Sequence, residues 1–376
     1  MGPLDGMLII SIEQAVAAPL CTARLVDAGA RVIKIERAEG DFARGYDKAA
    51  KGESSYFAWL NQGKESVCLD FKKADDAKLL WSMLKKADVL VQNLSPGALA
   101  RSGFSSDAMR AENKGLIICN VSGYGSEGEV ANKRAYDLLV QAESGLISVS
   151  GSEQAAGRIG VSICDIGAGI TAYSSILEAI LKRAQTGSGE EVSVSLFDVA
   201  AEWMTVPYMH AQFGEGAPKP AGLRHPSIAP YGAFSCKEER LVLISIQNER
   251  EWERLCKEVL LTESLFTDNR YGTNNDRVNN RVALEADINA VTQTLTAEEF
   301  QQRLQVASIA YGAINSASQL ADHPAFRSRL GHTFSGEQMQ LPAHPVIRTN
   351  PEPAPNVSTP SIGQHTKQLR AEFLDR

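Results

Sequence analysis

The run Arg158–Leu181 (RIGVSICDIGAGITAYSSILEAIL) gathers the residue types best suited to chemistry. A β-like segment, IGVSIC, leads to Asp165. Gly167 and Gly169 permit close approach, and a helix follows with Ile166, Ile170, Tyr173, Ile176, Leu177, Ile180 and Leu181 on its apolar stripe. This order sets a carboxylate where a strand meets a helix N-terminus, and there the dipole and free N–H groups favour its ionised form by roughly 0.3–1 kcal/mol. Such a carboxylate either caps the helix or faces a cleft as a nucleophile, and the spacing leaves both open. Gly167, Gly169 and Ala172 also match a dinucleotide-type GxGxxA, but Asp165 would repel the pyrophosphate that this turn must hold. A second match, Gly123, Gly125 and Gly128, carries Glu127 and Glu129 beside it and reads as a turn.

Other catalytic signatures are missing. There is no GxxxxGK[ST], no HExxH and no GxSxG. All six histidines fall at or beyond His210, so a histidine base acting in the first 200 residues must come from further along the chain or from another subunit. Cys21, Cys68, Cys119, Cys164, Cys236 and Cys256 are scattered without a CxxC, which reads as a reduced cytoplasmic protein with no structural zinc or other metal. A net charge of −7 without a basic block argues against nucleic acid as partner. The most apolar N-terminal run, Met7–Leu20, contains Glu13 and lacks a basic lead, so neither a membrane span nor a secretory signal is expected.

Positioning these residues requires a large framework, and 376 residues at 44% hydrophobic composition suffice for two domains. Residues 7–12, 31–36, 66–71, 89–92 and 116–121 are continuous β-branched runs, the pattern of strands buried on both faces of a parallel sheet. Between them, 75–86 places Leu79, Leu80, Met83 and Leu84 on one helical stripe, and 19–28 is a helix closed by Gly29. The β-α-β-α order predicts a doubly wound α/β domain. Residues 206–230, with five prolines and three glycines, read as a linker. A strand pair follows, then helices at 248–259 and after the capping box Thr296–Glu299. The segment 331–360 lacks periodicity and is expected to lie extended against the first domain.

Six ordered segments then carry a family resemblance: EQAVAAPLCTARLVDAGARVIKIERAEGD (Glu13–Asp41), SVCLDFK (Ser66–Lys72), ADVLVQNLSPGALARSGF (Ala87–Phe104), SGYG (Ser122–Gly125), RAYDLLVQAESGL (Arg134–Leu146) and CDIGAG (Cys164–Gly169). Together they resemble the class III CoA-transferases, the family of formyl-CoA transferase, carnitine CoA-transferase and α-methylacyl-CoA racemase. A looser match continues through HPAFR (His323–Arg327). The resemblance implies an α/β fold: a large Rossmann-like domain of residues 1–205 completed by 316–376, a linker at 206–225, and a small α+β domain at 226–315. It also implies an interlocked homodimer, each chain threading a ring made by its partner.

The same resemblance places the family nucleophile at Asp165. Its coenzyme A contacts fall on Gln14, Ala15, Val16 and Ala17, on Arg37, on Leu69 and Lys72, on Asn93 and Leu94, and on Arg101 and Arg134. Guanidinium and ammonium groups suit the 3′-phosphate and pyrophosphate of CoA. Asn93, followed by Ser-Pro-Gly, also reads as a simple turn residue. Asp137, counted with the CoA contacts, lies in the family's active-site neighbourhood, and it reads first as the cap of the LLVQAESGL helix rather than as a group in the chemistry. Acyl-CoA would be a substrate, with no permanently bound cofactor. The implied reaction moves CoA from an acyl-CoA donor such as succinyl-CoA to a small carboxylate. Racemase chemistry needs a histidine directly before Asp137, where Tyr136 stands, and a non-catalytic CoA-binding protein is the remaining alternative. The glycine run of oxalate-handling members is absent, which argues against oxalate. The stretch RHPSIAPYG suggests short dicarboxylates such as itaconate, citramalate, mesaconate or malate, with Arg224 and His225 meeting a distal carboxylate.

Overall fold

The computed structural model describes residues 2–347, Thr349 and 357–374. They form two compact units. The larger comprises Met1–Ile147, Arg158–Tyr208 and Arg327–Arg376, and the smaller Ser148–Gly157 and Met209–Phe326.

In the larger unit, continuous apolar runs make a six-stranded parallel sheet. Its strands are β1 (Leu8–Ile12), β2 (Arg31–Glu36), β3 (Glu65–Cys68), β4 (Val89–Gln92), β5 (Ile117–Ser122) and β6 (Glu191–Ser195), in the order β3-β2-β1-β4-β5-β6. Alternate residues serve opposite faces. Ile9, Val32, Val89 and Ile117 enter one core with α1 (Ala17–Asp27), while Ile10, Ile33, Leu90 and Ile118 enter the other with Leu79, Leu80 and Met83 of α2 (Ala74–Leu84). Burial on both faces is why these strands carry no polar alternation. Strand β3 stops short of residue 71 because Asp70 turns the chain, accepting from the Lys72 N–H at 3.1 Å. Gly29, at φ +101°, takes the left-handed position that ends α1.

Asp137 and Asp165 lie on two helices, α3 (Asp137–Glu143) and α4 (Ile163–Thr186). The β-like segment expected before Asp165 is not a strand. Residues 158–162 are irregular and α4 begins at Ile163. The buried face of α4 also differs from the aliphatic stripe. It consists of Cys164, Gly167, Ala168, Gly169, Ala172, Ile176 and Ala179, while Ile170 and Leu181 are exposed. Close approach explains this choice of small residues. A Cβ on Gly169 would lie 2.5 Å from the Ala17 carbonyl oxygen of α1. One on Gly167 would lie 2.3 Å from the ring of Trp203, on α5 (Leu196–Trp203). By length and composition α4 could also cross a bilayer.

The smaller unit is an antiparallel three-stranded sheet, with Leu241–Ser245 between Tyr231–Ser235 and Ala310–Ala313. Helices cover it, and Phe234, Trp252, Ile288, Phe300 and Leu304 are buried in its core. The Thr296–Glu299 capping box is formed in both directions. The stretch read as a linker begins as a helix, Thr205–Phe213, with no buried residue, and residues 148–157 join the smaller unit. The segment expected to be extended holds a hairpin, Ser328–His332 with Gln338–Pro342. Its residues 348 and 350–356 lie outside the described ones.

Candidate active site

The sheet order reverses direction between β1 and β4, and open α/β sheets bind ligands at that point, beyond the carboxyl ends of the strands. Two cavities lie there, both within the larger unit. One, of about 650 Å³, is lined by Gln14–Ala17 after β1, Asn93–Pro96 after β4, the 131–138 segment, Arg158 and Asp165. The other, of about 1000 Å³, is lined by the turns after β2 and β3, including Arg37, Leu69 and Lys72. Gln14, Phe42, Leu94, Ser95 and Arg134 line both.

Two successive amides of the loop after β1 are held by side chains. The Gln14 N–H donates to Asn93 Oδ1 at 2.9 Å, and Asn93 Nδ2 donates back to the Gln14 carbonyl at 2.8 Å. Ala15 adopts φ +65°, a strained conformation for a residue with a Cβ, and its N–H donates to Asp41 Oδ1 at 3.2 Å. Asn93 is therefore a bracket for this loop.

Beneath it lies a buried group of four charges. Lys34 Nζ reaches Asp41 at 2.9 Å and Glu13 at 3.3 Å, and Lys64 Nζ reaches Glu13 at 2.7 Å. Burial opposes the charge on Glu13, but Lys64 and Lys34 outweigh it and hold its carboxyl below the usual range. Burial and the charge of Lys34 press Lys64 down to about 8, with Glu13 opposing. Lys34 faces Glu13, Asp41 and Glu36, so it moves up despite burial.

Asp165 is the third residue of α4. Its helix start is capped from α3: Asp137 Oδ1 accepts from the N–H of Cys164 at 2.7 Å and of Asp165 at 3.3 Å. Asp137 therefore caps α4 and not the helix it opens, and Ser162 makes no side-chain cap. Its other oxygen accepts from Gln141 Nε2 at 2.6 Å. Among the described residues no group donates to the Asp165 carboxylate, which is thus not a cap and is left available to a ligand. Burial, then the Asp137 charge, push Asp165 up to about 7. The helix N-terminus was expected to favour the ionised form, and desolvation with a like charge outweighs it.

Of the residues marked from sequence, Gln14, Ala15, Val16, Ala17, Asn93, Leu94, Arg134, Asp137 and Asp165 meet in the smaller cavity. Arg37, Leu69 and Lys72 meet in the larger with Gln14, Leu94 and Arg134. Arg101 lines neither, because its guanidinium turns back onto the Pro96 carbonyl at 3.1 Å. Arg224 and His225 are engaged within the smaller unit, Arg224 with Glu285 at 2.7 Å and His225 stacked on Tyr231 at 5.2 Å. Arg224 is therefore already paired, which withdraws support from its meeting a distal carboxylate. Sequence reasoning missed Tyr46 and Arg158. Burial, then Asp41 and Asp165, push the Tyr46 phenol up to about 12, so it stays a neutral donor beside the cavity. Arg158 carried one signal, its place at the head of the segment leading to Asp165. Among the described residues no cluster of three or more His, Cys, Asp or Glu side chains is arranged to hold a metal.

Known proteins are similar to this chain over nearly its whole length. The model for CoA-transferase family III matches residues 4–366. An acetyl-CoA:oxalate CoA-transferase from Acetobacter aceti is 32% identical, the match covering 99% of this chain and 96% of that one. A succinyl-CoA:glutarate CoA-transferase from Mus musculus is 30% identical, covering 100% and 87%. The crystal structure of a CAIB/BAIF family protein from Brucella suis is 27% identical, with a TM-score of 0.86 and 99% of both chains covered.

Proposed function

Because the chain belongs to CoA-transferase family III and is a CoA-transferase, we propose that it moves CoA from an acyl-CoA donor such as succinyl-CoA to a small carboxylate, through covalent intermediates on Asp165. One observation carries this reading: an unbonded carboxylate in one cavity, continuous through shared residues with a second that carries Arg37, Lys72 and Arg134. The larger cavity suits the phosphates and adenosine of CoA, and the smaller one the acyl group.

The ionised Asp165 attacks the thioester carbonyl, forming a mixed anhydride and expelling CoA thiolate. The thiolate then attacks the aspartyl carbonyl carbon, which releases the donor carboxylate and leaves an aspartyl-CoA thioester. The acceptor carboxylate attacks that carbon and expels the thiolate again, giving a second anhydride. Attack of the thiolate on the acceptor's carbonyl yields the new acyl-CoA and returns Asp165 as carboxylate. The anhydride and thioester conserve the donor's energy, so the sequence is self-contained in electrons and protons. The first N–H groups of α4 are closed to an oxyanion, because Asp137 occupies those of Cys164 and Asp165. The N-terminus of α1, where Val16 and Ala17 line the cavity, is the better source in this reading.

Relatives named for oxalate and glutarate suggest a small dicarboxylate acceptor. A third, from Haloarcula hispanica, is named for mesaconate. Oxalate, which the missing glycine run argued against, therefore belongs in the acceptor screen beside glutarate, mesaconate, itaconate, citramalate and malate. We also propose a homodimer, supported by the exposed apolar side chains of Val206 and Met209 on the helix Thr205–Phe213. A cytoplasmic location is supported by six free cysteines.

The test is intact-protein mass after incubation with succinyl-CoA or acetyl-CoA, for wild type and Asp165→Ala. A hydroxylamine-labile adduct of CoA mass in the wild type alone is the expected result. Its absence with both donors overturns the covalent reading.

A further inference from the structure

We infer that Arg158 reads the far carboxylate of a dicarboxylate substrate and so sets the enzyme's choice between dicarboxylates and monocarboxylates. The inference rests on the transfer reaction proposed above.

Three cations line the cavity of Asp165: Lys133, Arg134 and Arg158. Lys133 is committed to Glu143 at 2.5 Å and lies over the Tyr124 ring. Arg134 also lines the larger cavity, among the residues that suit CoA phosphate. Arg158 lines the smaller cavity and not the larger, and among the described residues its one hydrogen bond is a long 3.4 Å contact to the nearby Gly160 carbonyl. Among the described residues no carboxylate pairs with it.

Its position relative to Asp165 is set through a single buried amide. The neighbouring Ile159 donates its N–H to Gln141 Oε1 at 2.9 Å, and its carbonyl accepts from Gln141 Nε2 at 3.3 Å. That same Nε2 holds Asp137, which in turn holds the Asp165 N–H. A substrate whose reacting carboxylate meets Asp165 must put its second carboxylate elsewhere in the cavity, still ionised. A free guanidinium is the group that matches it, through two parallel hydrogen bonds. Donor and acceptor acyl groups are joined to Asp165 in turn, so one arginine reads both.

The test uses acetyl-CoA as donor, which has no far carboxylate, and compares glutarate with pentanoate as acceptors of equal length. Arg158→Gln is expected to lower the glutarate-to-pentanoate ratio of kcat/KM roughly 10- to 100-fold, chiefly through the KM for glutarate. Arg158→Lys restores part of it, and Arg158→Glu shifts preference toward 5-aminopentanoate. An unchanged ratio, or equal losses with both acceptors, overturns the inference and leaves the transferase reading intact. Failure of the wild type to transfer CoA to any carboxylate overturns that reading, and this inference with it.

Discussion

Asp137 holds Asp165 by its own backbone, its Oδ1 accepting the Asp165 N–H at 3.3 Å and the preceding Cys164 N–H at 2.7 Å. One carboxylate thus fixes the start of the helix that carries the other. The contact has two opposed effects. It satisfies N–H groups that a helix start leaves without partners, and it sets a negative charge beside a buried acid. The second effect, added to burial, keeps Asp165 at about 7, near which the ionised form that the proposed attack requires becomes populated.

Transferase activity should therefore rise with pH through about 7, as Asp165 loses its proton. Asp137→Asn keeps an oxygen for the two N–H groups but removes the charge, so the acid limb of kcat/KM should move to lower pH. A pH–rate profile of the two proteins checks this, and a limb that stays in place would assign it to another group.

Stability should follow the same group with the opposite benefit. Asp165 binds its proton more tightly folded, at about 7, than at its ordinary 3.8. It therefore supports the fold below about pH 4, and that support is lost as pH rises to 7. Asp165→Asn, which never ionises, should gain on the wild type across that window by roughly 1–3 kcal/mol, allowing for solvent screening. Urea unfolding at pH 4 and pH 8 measures the difference.

Arg37→Ala and Lys72→Ala should each raise the KM for acyl-CoA, on the order of tenfold, with the acceptor KM little changed. Repeating the measurement with 3′-dephospho-CoA thioesters tells which side chain meets that phosphate, since its removal should no longer matter to the corresponding variant.

Glu13→Gln should destabilise the larger unit by about 3–5 kcal/mol, because buried Lys64 would lose the one carboxylate it pairs with among the described residues and Lys34 would keep only Asp41 and Glu36. The loss should be largest below pH 8, where Lys64 must carry its proton. Thermal melts at pH 6.5 and pH 9 should show the smaller deficit at the higher pH.

Gly169→Ala should cost roughly 1–3 kcal/mol, since the added methyl would meet the Ala17 carbonyl oxygen and Leu20 side chain of α1. A denaturant midpoint lowered without a change in slope would report that strain.

Much of this molecule is written in local pattern. Continuous β-branched runs at 8–12, 31–36, 89–92 and 117–122 specify strands buried on both faces, and the capping box at Thr296 specifies its helix, because neighbouring residues alone decide these preferences. The order of motifs also identified Asp165 as the residue to watch. Its surroundings were decided by residues that the fold brings to it from outside its own motif. IGVSIC has the composition of a strand, yet its first four residues are irregular, pinned to Gln141 18 residues before Ile159, and its last two open α4. The cap of α4 comes from Asp137, 28 residues before Asp165, and the apolar stripe of α4 yields to glycines and alanines because α1 packs close against it. Arg101 and Arg158 look alike as isolated arginines. Only the folded chain turns the first onto a carbonyl and leaves the second open to the cavity, because hydrogen-bond partners are assigned by contacts that sequence spacing does not encode.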